Sequence, residues 1–159
     1  MTFLMAAMLV GGLTGLDGTY HESRSGQQEG QGVQKAAAAG KSTMKVHYID
    51  VGQGSAVLVQ SGVHFMLIDG GDSDASSKVV SYLKRQKVKK LDYVVVSHYD
   101  SDHLNGVVGA LNVFKVKRVI APAYTADSRV YESYCNIIAQ KKIATTRPKV
   151  GKKYKLGKA

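Results

Sequence analysis

Four side chains that bind metal ions in proteins lie within six consecutive positions of this 159-residue chain: His98, Asp100, Asp102 and His103. Imidazole and carboxylate ligands together suit zinc, manganese or iron, whereas calcium and magnesium prefer oxygen ligands alone. Such a set is enough for one ion or for two adjacent ions, and a paired site suits hydrolysis of phosphate esters. The cluster therefore predicts a metal centre. The alternative is a solvated loop in which one of the aspartates only caps a helix.

The residues on either side of this cluster predict where it lies in a fold. Residues 91–96 (LDYVVV) are apolar and rich in β-branched side chains, which is typical of a buried strand. Leu104, Val107 and Leu111 follow at the spacing of one helix face. The cluster is therefore expected in a loop between the carboxyl end of a core strand and a helix, where open α/β sheets place their sites.

The ligand cluster reads H-x-D-x-D-H and resembles the H-x-[HD]-x-D-H signature of the metallo-β-lactamase superfamily. Two earlier segments, residues 50–55 (DVGQGS) and 67–71 (LIDGG), occur in the matching order. Together with residues 91–98 (LDYVVVSH), they resemble the hydrolase domain of ComEC-type late competence DNA-uptake proteins. The resemblance runs from about Met44 to Lys155.

This resemblance implies an α/β fold, namely the first half of a metallo-β-lactamase-type αββα sandwich, with a mixed sheet and flanking helices. It also implies a hydrolase that uses Zn²⁺ or Mn²⁺, as one or two ions, to help water attack a phosphodiester of DNA. His98 and Asp100 would hold one ion, and Asp102 and His103 the other. Asp102 would also orient the attacking water as the catalytic residue. Asp69 would support the metal loop without binding metal.

The chain also departs from the family's pattern. Asp100 stands where the commoner H-x-H-x-D-H form has a second histidine. The family's later metal-site segments, a Gly-Asp strand end and a His-His-Gly-Ser-like loop, have no counterpart here. We therefore expect the isolated chain to have little or no activity and one face of its sheet to lack a covering layer. The chain is then either a fragment or a half that pairs with a complementing second half or with another copy.

The formal net charge of +10 favours an acidic partner, with DNA or an anionic surface as the usual candidates. From residue 141 onward the chain carries Lys and Arg and no acidic residue. Four lysines of this tail are predicted to contact nucleic acid: Lys149, Lys152, Lys153 and Lys155. A solvated, partly disordered tail is the alternative. For the whole chain, the alternatives are a non-catalytic basic module that docks DNA or protein, and a hydrolase of another ester or amide.

The chain divides by composition into three segments. Residues 1–18 resemble the apolar core of a secretory signal peptide but are too short for a stable membrane span. They predict an extracytoplasmic or secreted protein, which the resemblance makes bacterial. Residues 19–43, rich in Gly, Gln and Ser, predict a flexible linker, and residues 44–159 the folded part. The single cysteine, Cys135, excludes an intramolecular disulfide and a Cys-based zinc cluster.

Periodicity within the folded part predicts six strands and three helices. The second helix is the one that follows the ligand cluster. The strands are expected at residues 44–51, 55–60, 63–68, 91–96, 116–121 and 142–147, and the other two helices at 73–86 and 127–141.

Overall fold

The computed structural model describes residues 33–37 and 43–158, so the signal-peptide-like segment 1–18 lies outside the described residues. The described residues form the following elements: β1 (Val33–Ala37), β2 (Thr43–Tyr48), β3 (Val57–Ser61), β4 (His64–Ile68), α1 (Ser73–Arg85), β5 (Lys90–Leu91), β6 (Tyr93–Val95), α2 (Ser101–Val113), β7 (Lys115–Val116), β8 (Arg118–Ile120), α3 (Arg129–Gln140) and β9 (Ala144–Thr146).

The main sheet has seven strands in the order β1-β2-β3-β4-β6-β8-β9. The pairings from β1 to β4 are antiparallel, and those from β4 to β9 are parallel. The predicted α/β fold with a mixed sheet is therefore confirmed. None of the helices in the described ranges is long and apolar enough to cross a membrane.

Three predictions about the strands need correction. Residues 33–37 lie within the predicted linker, yet they form β1 and pair with β2. Edge-strand pairing is made through backbone hydrogen bonds, which composition does not report. The predicted strand 91–96 is split at Asp92, and the predicted strand 116–121 is split at Lys117. The short pieces before these breaks, β5 and β7, pair with each other in a separate two-stranded sheet.

The hydrophobic core lies between the main sheet and the helices. Four fully buried residues lie side by side in register on four adjacent strands: Leu58, Leu67, Val94 and Val119. They form one cluster with helix residues such as Val79, Leu83, Leu104, Val107 and Leu111. Full burial of each Val or Leu side chain contributes roughly 1.5–3 kcal/mol. This packing fixes α2, and with it the ligand loop, against the strand ends.

The opposite face of the sheet is apolar and only partly covered. Val57, Met66, Ile68 and Tyr93 are half-buried on this face and lie outside the core cluster. The carboxyl-terminal tail covers one part of it, because the Tyr154 ring packs edge-on against Tyr93 with centroids 5.9 Å apart. Leu156 of the tail is also buried. The alternative of a disordered tail is therefore wrong for these residues.

Candidate metal centre

The predicted ligand loop joins β6 to α2, as its sequence indicates. Asp100 is the N-cap residue, with extended backbone (φ −69°, ψ 151°). Its carbonyl oxygen accepts hydrogen bonds from the amides of His103 and Leu104 at 3.1 and 3.0 Å. Asp102 and His103 consequently lie in the first turn of α2, and His98 precedes the helix.

Three of the four predicted ligands come together. His98, Asp102 and His103 each place one ligand atom within 4.8 Å of the others, and all three are half-buried. The two imidazole rings lie at a tilt of 50° with their centroids 4.0 Å apart. Two imidazoles and one carboxylate form a donor set that zinc accepts, with a further position left for water or substrate. The residues therefore fit a divalent metal ion.

Asp100 lies at the edge of this cluster. Its side chain is 77% exposed, and its Oδ2 is 3.6 Å from Nε2 of His98. The structure thus groups His98 with Asp102 and His103, and does not show the predicted division into two pairs. Because α2 begins at Ser101, Asp102 is carried into the helical turn while Asp100 remains outside it. Although Asp100 occupies the N-cap position, its carboxylate makes no capping hydrogen bond, so the alternative in which this side chain only caps the helix has no support from the geometry.

Asp69 lies beneath the loop, where the predicted supporting role requires it. It is buried, with 3% of its surface exposed, and its backbone adopts a left-handed conformation (φ 54°). Its Oδ2 accepts hydrogen bonds from Nδ1 of His103 at 3.0 Å and from Oγ of Ser97 at 2.7 Å. Its Oδ1 accepts the amide N–H of Ser97 at 2.8 Å. One carboxylate therefore holds both the strand end and the first helical turn.

This network sets the tautomer of both candidate histidine ligands. Because Ser97 Oγ–H donates to Asp69, the Ser97 oxygen is left to accept Nδ1–H of His98 at 2.9 Å. His103 likewise donates its Nδ1–H to the carboxylate. Each ring then has Nε2 free, which is the unprotonated nitrogen that a metal ion requires. Sequence reasoning missed Ser97, and the only signal was its position next to His98.

Glycines allow α2 to lie directly against the strand ends. Gly70 donates its amide to the His103 carbonyl at 2.8 Å, and Gly106 donates to the Gly71 carbonyl at 3.3 Å. A Cβ atom on Gly106 would overlap the carbonyl oxygen of Gly70. A Cβ atom on Gly54 would overlap the carbonyl oxygen of Asp102. The glycine turn after β2, formed by residues 52–54, therefore borders the candidate metal site.

The sequence model of the metallo-β-lactamase superfamily matches residues 49–152, which include the ligand loop, Asp69 and the glycine turn. The chain belongs to the metallo-β-lactamase superfamily. This membership agrees with a metal-dependent hydrolase and with the donor chemistry of the three-residue cluster.

Two bacterial relatives, one of them named as a competence protein, match part of this metallo-β-lactamase chain. Recombination protein 2 of Haemophilus influenzae is 30% identical over 100 residues, which are 60% of this chain and 13% of that protein. Competence protein ComA of Neisseria gonorrhoeae is 41% identical over 58 residues, which are 36% of this chain and 8% of that protein. The resemblance to competence proteins is confirmed, and the match covers only a small part of each relative.

Solved metallo-β-lactamases have the same fold over part of their length. MEM-A1, a subclass B3 enzyme from a soil metagenome library, gives a TM-score of 0.54 at 20% identity, covering 71% of this chain and 46% of that one. SMB-1 in a complex with mercaptoacetic acid gives 0.52 at 20% identity, covering 70% and 46%. At this identity the likeness concerns the fold alone, and it confirms the predicted fold class.

Within the ligand loop of this metallo-β-lactamase chain, Tyr99 fixes the loop to the segment that follows β8. Its hydroxyl donates to the carbonyl of Pro122 at 3.0 Å, and its amide donates to Oη of Tyr124 at 3.1 Å. Burial is the main reason why the pKa of Tyr99 rises to about 12. Tyr99 therefore stays protonated near neutral pH and positions the loop without exchanging protons. Tyr134, which packs against it, is buried in the core.

The four lysines predicted to contact nucleic acid lie on the surface of the carboxyl-terminal tail. Lys149, Lys152, Lys153 and Lys155 are all exposed. Lys155 lines a cavity together with Asp92 and Tyr93, at the beginning of β6, whereas the metal loop follows the end of that strand. Lys155 and the metal cluster therefore lie at opposite ends of β6.

Proposed function

We propose that this chain is a metal-dependent phosphodiesterase that acts on DNA outside the cytoplasm, in a competence-like role. The observation that carries the proposal is the His98, Asp102 and His103 cluster, in which hydrogen bonds to Nδ1 leave Nε2 of both rings free. Family membership supports metal-dependent hydrolysis. The extracytoplasmic location rests on the signal-peptide-like composition of residues 1–18.

Two observations favour a nucleic-acid substrate over another ester or amide. The relatives carry the names Recombination protein 2 and Competence protein ComA, which belong to the handling of DNA. The chain also has a formal net charge of +10, and such a charge attracts a polyanion. Both observations concern the substrate class and not the sequence of the DNA.

Each residue of the site has a distinct task in this proposal. A zinc or manganese ion, when bound, would polarise the phosphoryl oxygen and make water more acidic. His98, Asp102 and His103 would hold the ion, and Asp102 would also accept a hydrogen bond from the attacking water. Asp69 fixes His103 directly and His98 through Ser97, so that neither ring needs to reorient during the reaction.

The experiment that tests this function compares two aspartates in equivalent positions. Asp102 lies in the first turn of α2 and Asp74 in the first turn of α1. Both carboxylates interact favourably with the positive end of their helix dipole, but only Asp102 belongs to the metal cluster. We expect Asp102→Asn to abolish binding of Zn²⁺ and Asp74→Asn to leave it unchanged, as measured by calorimetric titration.

Cleavage of a labelled single-stranded oligonucleotide is then measured with protein in excess. Because the cluster offers three ligands, we expect little cleavage by this chain, all of it sensitive to chelator and to Asp102→Asn. Cleavage that persists in chelator or in Asp102→Asn would overturn the proposal. Robust cleavage by the wild type that is lost both in chelator and in Asp102→Asn would show that three ligands are sufficient for hydrolysis.

A second function, a basic module that binds DNA without cutting it, is favoured by the separation of Lys155 from the metal loop. It predicts that DNA binding by the wild type is the same with and without chelator. The hydrolase predicts that binding of the scissile region depends on the metal ion.

A further inference from the structure

A polar cavity lies at the amino-terminal ends of β4, β6 and β8, on the sheet edge opposite the metal loop. Its volume is about 270 Å³, enough for a phosphate group with several waters, since one water occupies about 30 Å³. We call it the lysine cavity, and it is lined by His64, Asp92, Tyr93, Lys117, Lys155 and Lys158.

The tail is held in place where it closes this cavity. Leu156 is buried, and the Tyr154 ring packs against Tyr93. Gly157, with φ of 63°, lies so close to His64 that an added Cβ atom would be 2.8 Å from Cδ2 of the imidazole. Lys155 is therefore held at the sheet edge between two packed neighbours, and Lys158 directly follows the closely packed Gly157.

The charges that line the cavity select an anion. Three lysines face one acidic residue, Asp92. Asp92 is buried, with 6% of its surface exposed, and its Oδ2 accepts Nδ1–H of His64 at 3.0 Å. The carboxylate is thus already engaged, whereas the three lysines that line the cavity are exposed. Three like charges disfavour a metal cation and attract a ligand with several acceptor oxygens.

We propose that the lysine cavity binds a phosphate group. Lys117, Lys155 and Lys158 supply the donors, and the His64 ring, held by Asp92, forms part of the cavity wall. The phosphate belongs either to a free phosphate compound or to the backbone of a nucleic acid. This site does not depend on the metal cluster, because β6 lies between the two.

Calorimetric titration with inorganic phosphate, in the presence of chelator, tests the site on the full chain. The cavity variant is Lys117→Gln with Lys158→Gln. The matched control is Lys78→Gln with Lys84→Gln, which removes the same charge from the exposed side of α1. We expect the cavity variant to bind at least about tenfold more weakly, because two charge-assisted hydrogen bonds are lost. The control should bind like the wild type.

A single-stranded oligonucleotide without a terminal phosphate distinguishes the two sources. If the ligand is a nucleic-acid backbone, the oligonucleotide should bind more tightly than inorganic phosphate. The slope of log binding constant against log salt concentration should then be smaller by roughly 1.4 in the cavity variant, about 0.7 for each lost contact. A free phosphate ligand predicts weaker phosphate binding in the cavity variant and unchanged oligonucleotide binding. Either result supports the proposal.

Cavity and control variants that behave alike with both probes would overturn the site. Phosphate-dependent amide shifts in the wild type give a second measurement, and we expect them at His64 and Gly157. Shifts confined to other regions would also overturn it. The His98→Ala, His103→Ala protein should bind phosphate like the wild type, so that failure of the proposed hydrolase and failure of this site can be told apart.

Discussion

His103 and Asp69 are joined by a hydrogen bond of 3.0 Å between Nδ1 and Oδ2, which links the first turn of α2 to the end of β4. The same carboxylate oxygen also accepts the Ser97 hydroxyl, which in turn contacts Nδ1 of His98. Two candidate metal ligands on different elements are therefore oriented by one buried side chain. Metal affinity in this chain should depend on a residue that does not itself bind the ion.

Replacing Asp69 by asparagine should weaken Zn²⁺ binding by roughly 10- to 100-fold, the usual effect of losing an outer partner of a histidine ligand. Ser97→Ala removes the hydroxyl that connects Asp69 to His98 but leaves the hydrogen bond between Asp69 and His103, so its effect should be smaller. Competition with a chelating dye measures both affinities. The exposed Asp127→Asn serves as the control. Wild-type affinity in Asp69→Asn would show that the network does not orient the ligands.

Zinc should stabilise the folded chain only when the cluster is intact. Binding to the native state alone adds about 2.7 kcal/mol when the free ion is at 100 times its Kd. We expect this stabilisation in the wild type and its loss in the His98→Ala, His103→Ala protein, as measured by urea unfolding with and without Zn²⁺. Equal stabilisation of both proteins would contradict the assignment of these ligands.

The ligand loop and the strand and helix on either side of it could be predicted because local sequence determines them. A Val-rich strand followed by closely spaced histidines and aspartates specifies both the element and its chemistry. The place of Asp100 could not be predicted, because it depends on where α2 begins. Ser97 was missed because a serine acquires its role only from the position of Asp69, which is distant in sequence.

The strand breaks at Asp92 and Lys117 could not be predicted from hydrophobic periodicity either. The amide of Asp92 donates to the Phe65 carbonyl, and the amide of Lys117 donates to the Leu91 carbonyl. These backbone contacts join strands that are far apart in the chain. Similarly, β1 is formed by pairing with β2, and its composition alone favours a linker.

Gly106→Ala should destabilise the protein, whereas Gly109→Ala in the same helix should be far milder. A Cβ atom at 106 meets the backbone of Gly70, which has no freedom to move aside, and we expect a loss of about 1–3 kcal/mol. At 109 it meets the flexible Ser76 hydroxyl, and the gain in helix propensity offsets the contact. Chemical denaturation of both variants provides the comparison, and equal midpoints would contradict the close approach.

Stability should depend on the protonation of His47. Burial, with a smaller contribution from the charge of Lys45, lowers the pKa of His47 below its ordinary value of 6.5. The unfolded chain therefore takes up a proton more readily, so the contribution is complete above pH 6.5 and is lost as the pH falls from 6.5 through the lowered pKa. Its ring contacts Tyr82 through a 2.9 Å hydrogen bond, and burial raises the pKa of that phenol, which stays neutral throughout.

The measurement for His47 is the free energy of unfolding from pH 8 to pH 5 in the wild type and in His47→Gln. The difference between the two proteins should shrink as the pH falls below 6.5. This subtraction removes the contributions of all groups that the two proteins share. A difference that is constant over the whole range would rule out a buried neutral His47.

Lys141 caps the end of α2, since its Nζ donates to the carbonyl oxygens of Leu111 and Asn112 at 2.6 and 2.7 Å. The last turn of α2 contains no basic residue of its own, so Lys141 also supplies the positive charge that a helix carboxyl terminus favours. Lys141→Met keeps the apolar stem and removes the donors, and it should lower the free energy of unfolding by about 1 kcal/mol. The adjacent exposed Lys142→Met removes the same charge without these contacts and should change it by less than about 0.5 kcal/mol. Urea unfolding should therefore shift the midpoint of Lys141→Met alone, and equal midpoints for the two variants would exclude a capping role for Lys141.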